Sequence, residues 1–181
     1  MPELARIGAR FDTRLRDLRG RVFIGRFAKV PEGNPTSAVP QKRLLRVHRD
    51  CFLKAGDIVL DHLGLKYLLA EGPTGMARDA VVNRTFRCIE VDRYLTWTRR
   101  GKTVDPVTRL QVDGGTVDLG MVWCNVDPRE ERLERSSKVA SNYEKWKLYT
   151  NADIQIDDLI GGQYVAVRAE VVAGIRVVDI E

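Results

Sequence analysis

The chain has 181 residues, of which 44% are hydrophobic, and a formal net charge of +5. This length is enough for one proper hydrophobic core and does not require two, which predicts one domain with appendages. No run approaches the roughly 18 apolar residues of a membrane helix, and the first residues lack the apolar stretch of a secretory signal, so we expect a protein without membrane attachment that is assembled from the cytosol. Three cysteines without short paired spacing indicate neither a disulfide framework nor a zinc knuckle, and buried free thiols are expected.

The positive charge is concentrated in the first third of the chain. Residues 1–54 contain 13 Lys and Arg against 5 Asp and Glu, whereas residues 55–181 contain 17 against 20. Such asymmetry favours contact with nucleic acid, with an acidic protein neighbour or with another anionic surface. The alternative is that these side chains only solvate a helix face and a loop.

Residues 2–19 are predicted to form an amphipathic helix. Apolar residues recur there at helical spacing, and three arginines follow one another at intervals of four on another face. The apolar residues are Leu4, Ile7, Phe11, Leu15 and Leu18, and the arginines are Arg6, Arg10 and Arg14. Like charges at this spacing are mildly unfavourable in an isolated helix, which favours an anionic neighbour.

Residues 31–40, PEGNPTSAVP, are typical of an extended loop or arm because three prolines are interleaved with Gly, Asn and Ser. Together with the helix, this segment makes residues 1–43 a basic helix followed by an extended arm. Such an arm suits docking on another chain by becoming ordered on assembly.

From residue 44 onward the pattern indicates short strands separated by turns. Asp113-Gly114-Gly115 is typical of a tight turn and predicts a hairpin between residues 108–112 and 116–124. Strict alternation in the second of these strands places four large apolar side chains on one face, the face expected to line the core. They are Val117, Leu119, Met121 and Trp123.

Residues 127–131, DPREE, are typical of the start of a short charged helix, with Asp127 as the cap and Pro128 at the first helical position. Without a sustained apolar stripe, residues 129–142 fit a solvated excursion between strands equally well. The predicted fold is therefore mainly β: a small antiparallel β-barrel or sandwich over residues 44–181, with an inserted excursion near 129–142. An N-terminal amphipathic helix and long loops or arms complete it.

One pattern occurs twice. Residues 53–71, LKAGDIVLDHLGLKYLLAE, and residues 154–170, IQIDDLIGGQYVAVRAE, share an apolar residue, an Asp, a short strand, a Gly-containing turn and a Tyr that opens another strand. These segments are predicted to be related hairpins, forming two halves of one sheet. Chance similarity between generic hairpins is the alternative.

No convincing catalytic or metal site is indicated. His48 and Cys51 could be two metal ligands, but a tetrahedral set is missing. Paired aspartates could serve acid–base chemistry or a hard cation, although an Asp before a short strand more commonly accepts hydrogen bonds from a turn. These are Asp57, Asp61, Asp157 and Asp158. No P-loop, no dinucleotide-binding glycine pattern and no nucleophile elbow occurs. We therefore expect a protein that is not an enzyme and holds no cofactor and no metal.

Tryptophans and tyrosines are the side chains that could stack single-stranded bases. The tryptophans are Trp97, Trp123 and Trp146, and the accompanying tyrosines are Tyr94, Tyr143 and Tyr149. A role in the core or at a subunit interface is favoured over base stacking, because Trp123 falls on the alternating apolar face.

The doubled pattern, seen in KAGDIVLDHLGLKYLL and IDDLIGGQYVAV, resembles the small β-barrel proteins of tailed-phage necks, the head-closure (stopper) and head-to-tail connector proteins. The resemblance covers about 40 residues and implies a structural virion protein, assembled in the host cytoplasm. It also implies a homo-oligomeric ring around the DNA path that joins a portal or adaptor to the tail.

In such a ring, basic side chains would meet DNA non-specifically or an acidic neighbouring subunit. The candidates are Arg6, Arg10, Arg14, Lys42, Arg43 and Arg46. The alternative function is a cellular nucleic-acid-binding β-barrel of the OB- or SH3-like kind. An enzyme that uses Asp57, Asp61 or His62 is the third hypothesis.

Overall fold

A computed structural model describes residues 13–30, 43–72, 75–77, 80–128 and 146–181, and every regular element within them is a β-strand. In chain order the strands are β1 (Thr13–Asp17), β2 (Val22–Lys29), β3 (Arg43–His48), β4 (Ile58–Leu60), β5 (Lys66–Glu71), β6 (Gly75–Ala77), β7 (Ala80–Glu90), β8 (Arg93–Val104), β9 (Gln111–Pro128), β10 (Trp146–Thr150), β11 (Leu159–Ile160), β12 (Tyr164–Val172) and β13 (Ile175–Ile180). The mainly β character with an antiparallel barrel is therefore confirmed.

The strands belong to two separate sheets, which fall in two compact units divided at Asp92 and Arg93. In the second unit six strands close into a barrel in the order β10-β13-β12-β11-β8-β9. In the first, the order is β3-β2-β1-β4-β5-β7, and an additional pairing of β3 with β7 joins the two ends. We call these closed circles the first and the second barrel. The domains predicted from the sequence, 1–43 and 44–181, were divided at a different place.

The two barrels have the same strand topology. Numbered one to six in chain order within each barrel, with β6 left out as an addition to β7, the strands of both circles are paired in the order 1-2-3-6-5-4. The pairing register agrees as well, because interior residues that face each other in one barrel have counterparts that face each other in the other. Such pairs are Leu15–Phe23 and Leu95–Val122, Val59–Tyr67 and Ile160–Tyr164, and Leu45–Phe86 and Leu148–Val178. The chain is thus a tandem repeat of one six-stranded barrel.

The doubled sequence pattern lies at corresponding places in the two repeats. The amide of Lys54 donates to Asp57 Oδ2 at 2.8 Å, and the amide of Gln155 donates to Asp158 Oδ2 at 2.9 Å. Because the same turn carries the same hydrogen bond in both copies, the similarity is structural and not a coincidence of generic hairpins. The expectation that the hairpins are halves of one sheet is wrong, since β4–β5 and β11–β12 belong to different sheets.

The predicted N-terminal helix is not supported. Residues 2–12 lie outside the described residues, and residues 13–17 form β1. Side chains alternate there with a period of two: Leu15 and Asp17 are buried whereas Arg14 and Arg16 are exposed. The helical spacing of leucines is overridden because Leu15 packs opposite Phe23 in the interior of the first barrel. The predicted arm at 31–40 and the excursion at 129–142 also lie outside the described residues.

The predicted Asp113-Gly114-Gly115 hairpin is wrong as well. These residues lie within β9, which pairs with β8 over most of its length, and the turn lies at residues 105–110 instead. Asp105 closes this turn by accepting hydrogen bonds from the amides of Val107 and Thr108 at 2.7 and 3.3 Å. The local turn signal of the two glycines is therefore overridden by long cross-strand pairing.

The predicted core face of β9 is also wrong, and a β-bulge interrupts the alternation on which it was based. Trp97 pairs with Gly120 and Thr98 pairs with Asp118, so one extra residue stands between them in β9. After this bulge Val122, Cys124 and Val126 are buried. Four residues expected in the core are instead partly or largely exposed: Val117 (55%), Leu119 (39%), Met121 (46%) and the half-buried Trp123.

Candidate functional site

The outer face of strands β1, β2 and β3 carries a group of arginines. Side chains alternate between the two sides of a strand, and the inward positions here are filled by core residues such as Leu15 and Phe23. The outward positions hold four exposed arginines around two exposed apolar residues, Val22 (54%) and Ile24 (60%). We call this surface the basic face; its arginines are Arg14, Arg16, Arg26 and Arg46.

The pairing register fixes how the basic face is arranged. Arg14 lies opposite Ile24, Arg16 lies opposite Val22, and Arg26 lies opposite Arg46. Neighbouring strands are about 4.8 Å apart, so the four arginines lie within one compact region around an apolar centre. This arrangement suits an anionic partner or an interface with an apolar centre.

Each barrel has its own charge balance. Among the described residues, the first unit contains 13 Lys and Arg against 7 Asp and Glu, whereas the second contains 8 against 10. The uneven charge seen in the sequence is therefore a difference between the two repeats. A polyanion would be attracted to the first barrel more than to the second.

The structure separates the predicted contact residues. Arg14 and Arg46 lie on the basic face, while Arg6, Arg10 and Lys42 lie outside the described residues. The Arg43 guanidinium lies 3.4 Å from a carboxylate oxygen of the buried Asp61 and 5.7 Å from the centre of the Tyr67 ring. Arg43 therefore contacts Asp61 and Tyr67 of the first barrel, and these contacts stabilise that barrel.

Two arginines of the basic face, Arg16 and Arg26, were missed by the sequence prediction. The helical interpretation of residues 2–19 grouped Arg14 with Arg6 and Arg10 and did not include Arg16. The alternation Arg14-Leu15-Arg16-Asp17 has the period of a strand, and this signal would have placed Arg14 and Arg16 together.

The second barrel presents an uncharged aromatic surface instead. The Tyr94 and Trp123 rings stack with their centroids 4.5 Å apart and an angle of 25° between their planes. Exposed Met121 and Thr96 pair with each other on the same side of β8 and β9. We call these four residues the aromatic patch.

Two aspartates on β9 flank the aromatic patch. Asp118 precedes it and accepts a hydrogen bond from the amide of Gly120 at 2.8 Å, and Asp127 follows it. Next to Asp127, burial and, to a lesser extent, the negative charges of Asp127 and Asp179 together raise the pKa of Tyr149 to about 12. Asp118 and Asp127 therefore lie on either side of the aromatic patch along β9, and Lys147 of β10 lies directly opposite Asp127.

The basic face and the aromatic patch occupy corresponding positions in the two repeats. Because Leu15–Phe23 corresponds to Leu95–Val122, the neighbouring outward pairs correspond too. Arg14 and Ile24 match Tyr94 and Trp123, and Arg16 and Val22 match Thr96 and Met121. One surface of the repeated barrel is thus basic in the first copy and aromatic in the second.

Three of the four candidate catalytic carboxylates, those of Asp57, Asp61 and Asp158, are held by turns. Asp61 Oδ1 accepts hydrogen bonds from the amides of Leu63 and Leu65 at 2.8 and 3.0 Å, and Asp57 caps the turn that precedes β4. The interpretation as turn residues is confirmed for Asp57, Asp61 and Asp158, whereas the Asp157 carboxylate forms an exposed ion pair with Lys102. His62 lies in the same turn as Leu63 and is exposed.

Asp158 is buried and forms the most extensive of these networks. Its carboxylate accepts bonds from Trp97 Nε1 at 2.8 Å, from Arg99 Nε at 2.8 Å and from Arg99 Nη2 at 2.9 Å. Burial by itself raises the pKa of Asp158, but the bonds from Arg99, the Gln155 amide and Trp97 together outweigh burial and lower it. The network holds the turn before β11 against β8.

Among the described residues, no group of three or more His, Cys, Asp or Glu is placed to hold a metal ion. No helix in the described part of the chain is long and apolar enough to cross a membrane. No protein-family model, no curated protein and no solved structure matches the chain.

Proposed function

We propose that this protein is a structural virion component of a tailed phage, a homo-oligomeric ring at the head-to-tail junction that joins a portal or adaptor to the tail around the DNA path. It would be assembled in the host cytoplasm, would have no membrane partner and would act without catalysis. The sequence resemblance to neck proteins suggests this function. The observation that carries it is that corresponding surfaces of the two barrel repeats differ: the first carries the basic face and the second carries the aromatic patch.

Both surfaces suit an assembly protein. Tyr, Trp, Met and Arg are enriched in protein–protein interfaces. The exposed Tyr94 and Met121, together with the half-buried Trp123, give the second barrel such a composition. Arginines on the first barrel attract phosphate independently of base sequence, and an attraction that is weak and spread over few contacts permits DNA to pass.

Electron microscopy tests this proposal. Purified protein, alone and after addition to a lysate of infected cells, should form rings with a central opening and should be found in tail-bearing particles by peptide mass spectrometry. A protein that is absent from particles and forms no rings under either condition would contradict the proposal.

A cellular nucleic-acid-binding barrel is the second candidate, favoured by the basic face. In that case fluorescence anisotropy with duplex and single-stranded DNA should give tight binding that falls with salt, with a slope of about −3 in log K against log salt if three to four phosphates are contacted. Arg46→Glu should weaken binding, whereas Arg168→Glu on the second barrel should not. Absence of binding at low salt would remove this candidate.

A further inference from the structure

The corresponding surfaces of the two repeats differ in chemistry in a complementary way. The basic face has exposed Val22 and Ile24 at its centre and four arginines around them. The aromatic patch has Met121 and Trp123 at the same two positions, with Asp118 and Asp127 on the strand at either side. Each surface therefore has an apolar centre and a polar border, which is the anatomy of a protein interface.

Contact between unlike surfaces is favoured over contact between like surfaces. Two basic faces would bring four arginines of each copy together, and such like-charge contact costs free energy. A basic face against an aromatic patch instead places arginines near Tyr94, Trp123 and the flanking aspartates. Arginine is attracted both to aromatic ring faces and to carboxylates.

We propose that the basic face of one molecule docks onto the aromatic patch of a second copy of this chain. The inference rests on the proposed self-assembling function and names the surfaces that make the contact. Because the two surfaces are different, the contact is heterologous: every added copy leaves one free basic face and one free aromatic patch. Repetition of such a contact generates a ring when the rotation closes and an open chain when it does not.

Single substitutions with matched controls test the contact by mass photometry and light scattering. Met121→Arg, at the centre of the aromatic patch, and Arg46→Glu, which reverses a charge beside the centre of the basic face, should each weaken self-association about tenfold or more. Val167→Arg is the control for the second barrel, because β12 lies three strands from β9 around the circle and Val167 is 40% exposed. Leu63→Glu, in the turn between β4 and β5, is the control for the first.

Mixing the two blocked variants is the sharper test. The Arg46→Glu protein keeps an intact aromatic patch and the Met121→Arg protein keeps an intact basic face. At a concentration at which each variant alone is monomeric, an equimolar mixture should form a 1:1 heterodimer that grows no further. Circular dichroism of each variant verifies that the fold is intact.

The outcomes distinguish this inference from the proposed function. Folded variants that assemble like the wild type, a mixture that stays monomeric, or a wild-type protein that never self-associates would each overturn the docking of these two surfaces. The ring proposal is decided separately, by the presence of the protein in particles. Wild-type copies that associate through these surfaces only into open chains, and never enter particles, would overturn the ring while the contact stands.

Discussion

Gly56 and Asp157 occupy the same position in the two barrel repeats. Both have positive φ, 89° and 71°, and both donate their amide across the hairpin at 2.8 Å, Gly56 to Leu69 O and Asp157 to Ala166 O. The left-handed conformation is thus a requirement of the turn and not a preference of its residue, because glycine fills it in one copy and an aspartate in the other.

This pair predicts opposite effects of reciprocal substitutions. Asp157→Gly should stabilise the protein by about 0.5 kcal/mol, because glycine adopts positive φ without the steric cost of a Cβ atom and the exposed ion pair of Asp157 with Lys102 contributes little. Gly56→Asp should destabilise it by about 1 kcal/mol. Urea unfolding measures both changes. Gln163→Gly, at an exposed turn residue without positive φ, is the control and should not stabilise the protein. A destabilising effect of Asp157→Gly would contradict the equivalence of Gly56 and Asp157.

The buried Asp158 network should dominate the local stability of the second barrel. Asp158→Ala leaves Arg99 without its carboxylate and Trp97 Nε1 without its acceptor, so we expect a loss of about 3 kcal/mol. Asp153→Ala, which removes a carboxylate that is 68% exposed in the same region, should cost far less. Thermal and urea unfolding compare the two. Equal losses would show that the network does not hold the turn.

The same carboxylate predicts a loss of stability in acid. The pKa of Asp158 is lower in the folded protein than its usual value of 3.8, so folding is favoured at pH values above that value. This contribution is lost as the pH falls through the lowered pKa, when the folded state must also take up the proton. Asp158→Asn should therefore flatten the dependence of unfolding free energy on pH below about 4. If the unfolding free energy of Asp158→Asn fell below pH 4 as steeply as that of the wild type, the lowered pKa of Asp158 would not be the cause of the acid sensitivity.

Equivalent interior leucines should be equally important in the two repeats. Leu45 and Leu148 are fully buried, and truncation of either to Ala should cost about 2–5 kcal/mol through lost burial and the cavity left behind. Hydrogen exchange followed by mass spectrometry should localise the loss to the first barrel for Leu45→Ala and to the second for Leu148→Ala. Leu63→Ala, at a residue that is 69% exposed, is the control. A decrease in unfolding free energy of less than about 1 kcal/mol for either variant would argue against equivalent core positions in the two barrels.

The three cysteines should differ sharply in reactivity. Cys88 and Cys124 are buried and Cys51 is only partly buried, and burial raises the pKa of the Cys88 thiol, so that its reactive thiolate is scarce. Alkylation with iodoacetamide in native buffer should modify Cys51 first, and Cys88 and Cys124 only after unfolding. Peptide mapping reads out the sites, and the Cys51→Ser variant should lack the early reaction. Early modification of Cys88 would contradict its buried position.

Some local features of the chain were predicted correctly, although the helix over residues 2–19 and the hairpin at residues 113–115 were not. The β character and the doubled hairpin with its Asp57 and Asp158 turns follow from alternation and turn chemistry within about 20 residues. A tyrosine lies at the start of the second strand of each hairpin, Tyr67 in β5 and Tyr164 in β12. These features could be predicted because residues close together along the chain determine them.

The sequence alone determined that the chain builds hairpins from a repeated unit and that its charge is uneven. Only the tertiary structure decided that the repeats form two barrels, since closure depends on pairings such as β3 with β7 between distant strands. It also made residues 13–17 a strand and paired Val122 with Leu95 in the interior, so that Met121 faces outward. The physical reason is that burial across the whole sheet determines which strands pair and in which register. The hydrophobic pattern of a single segment does not contain this information.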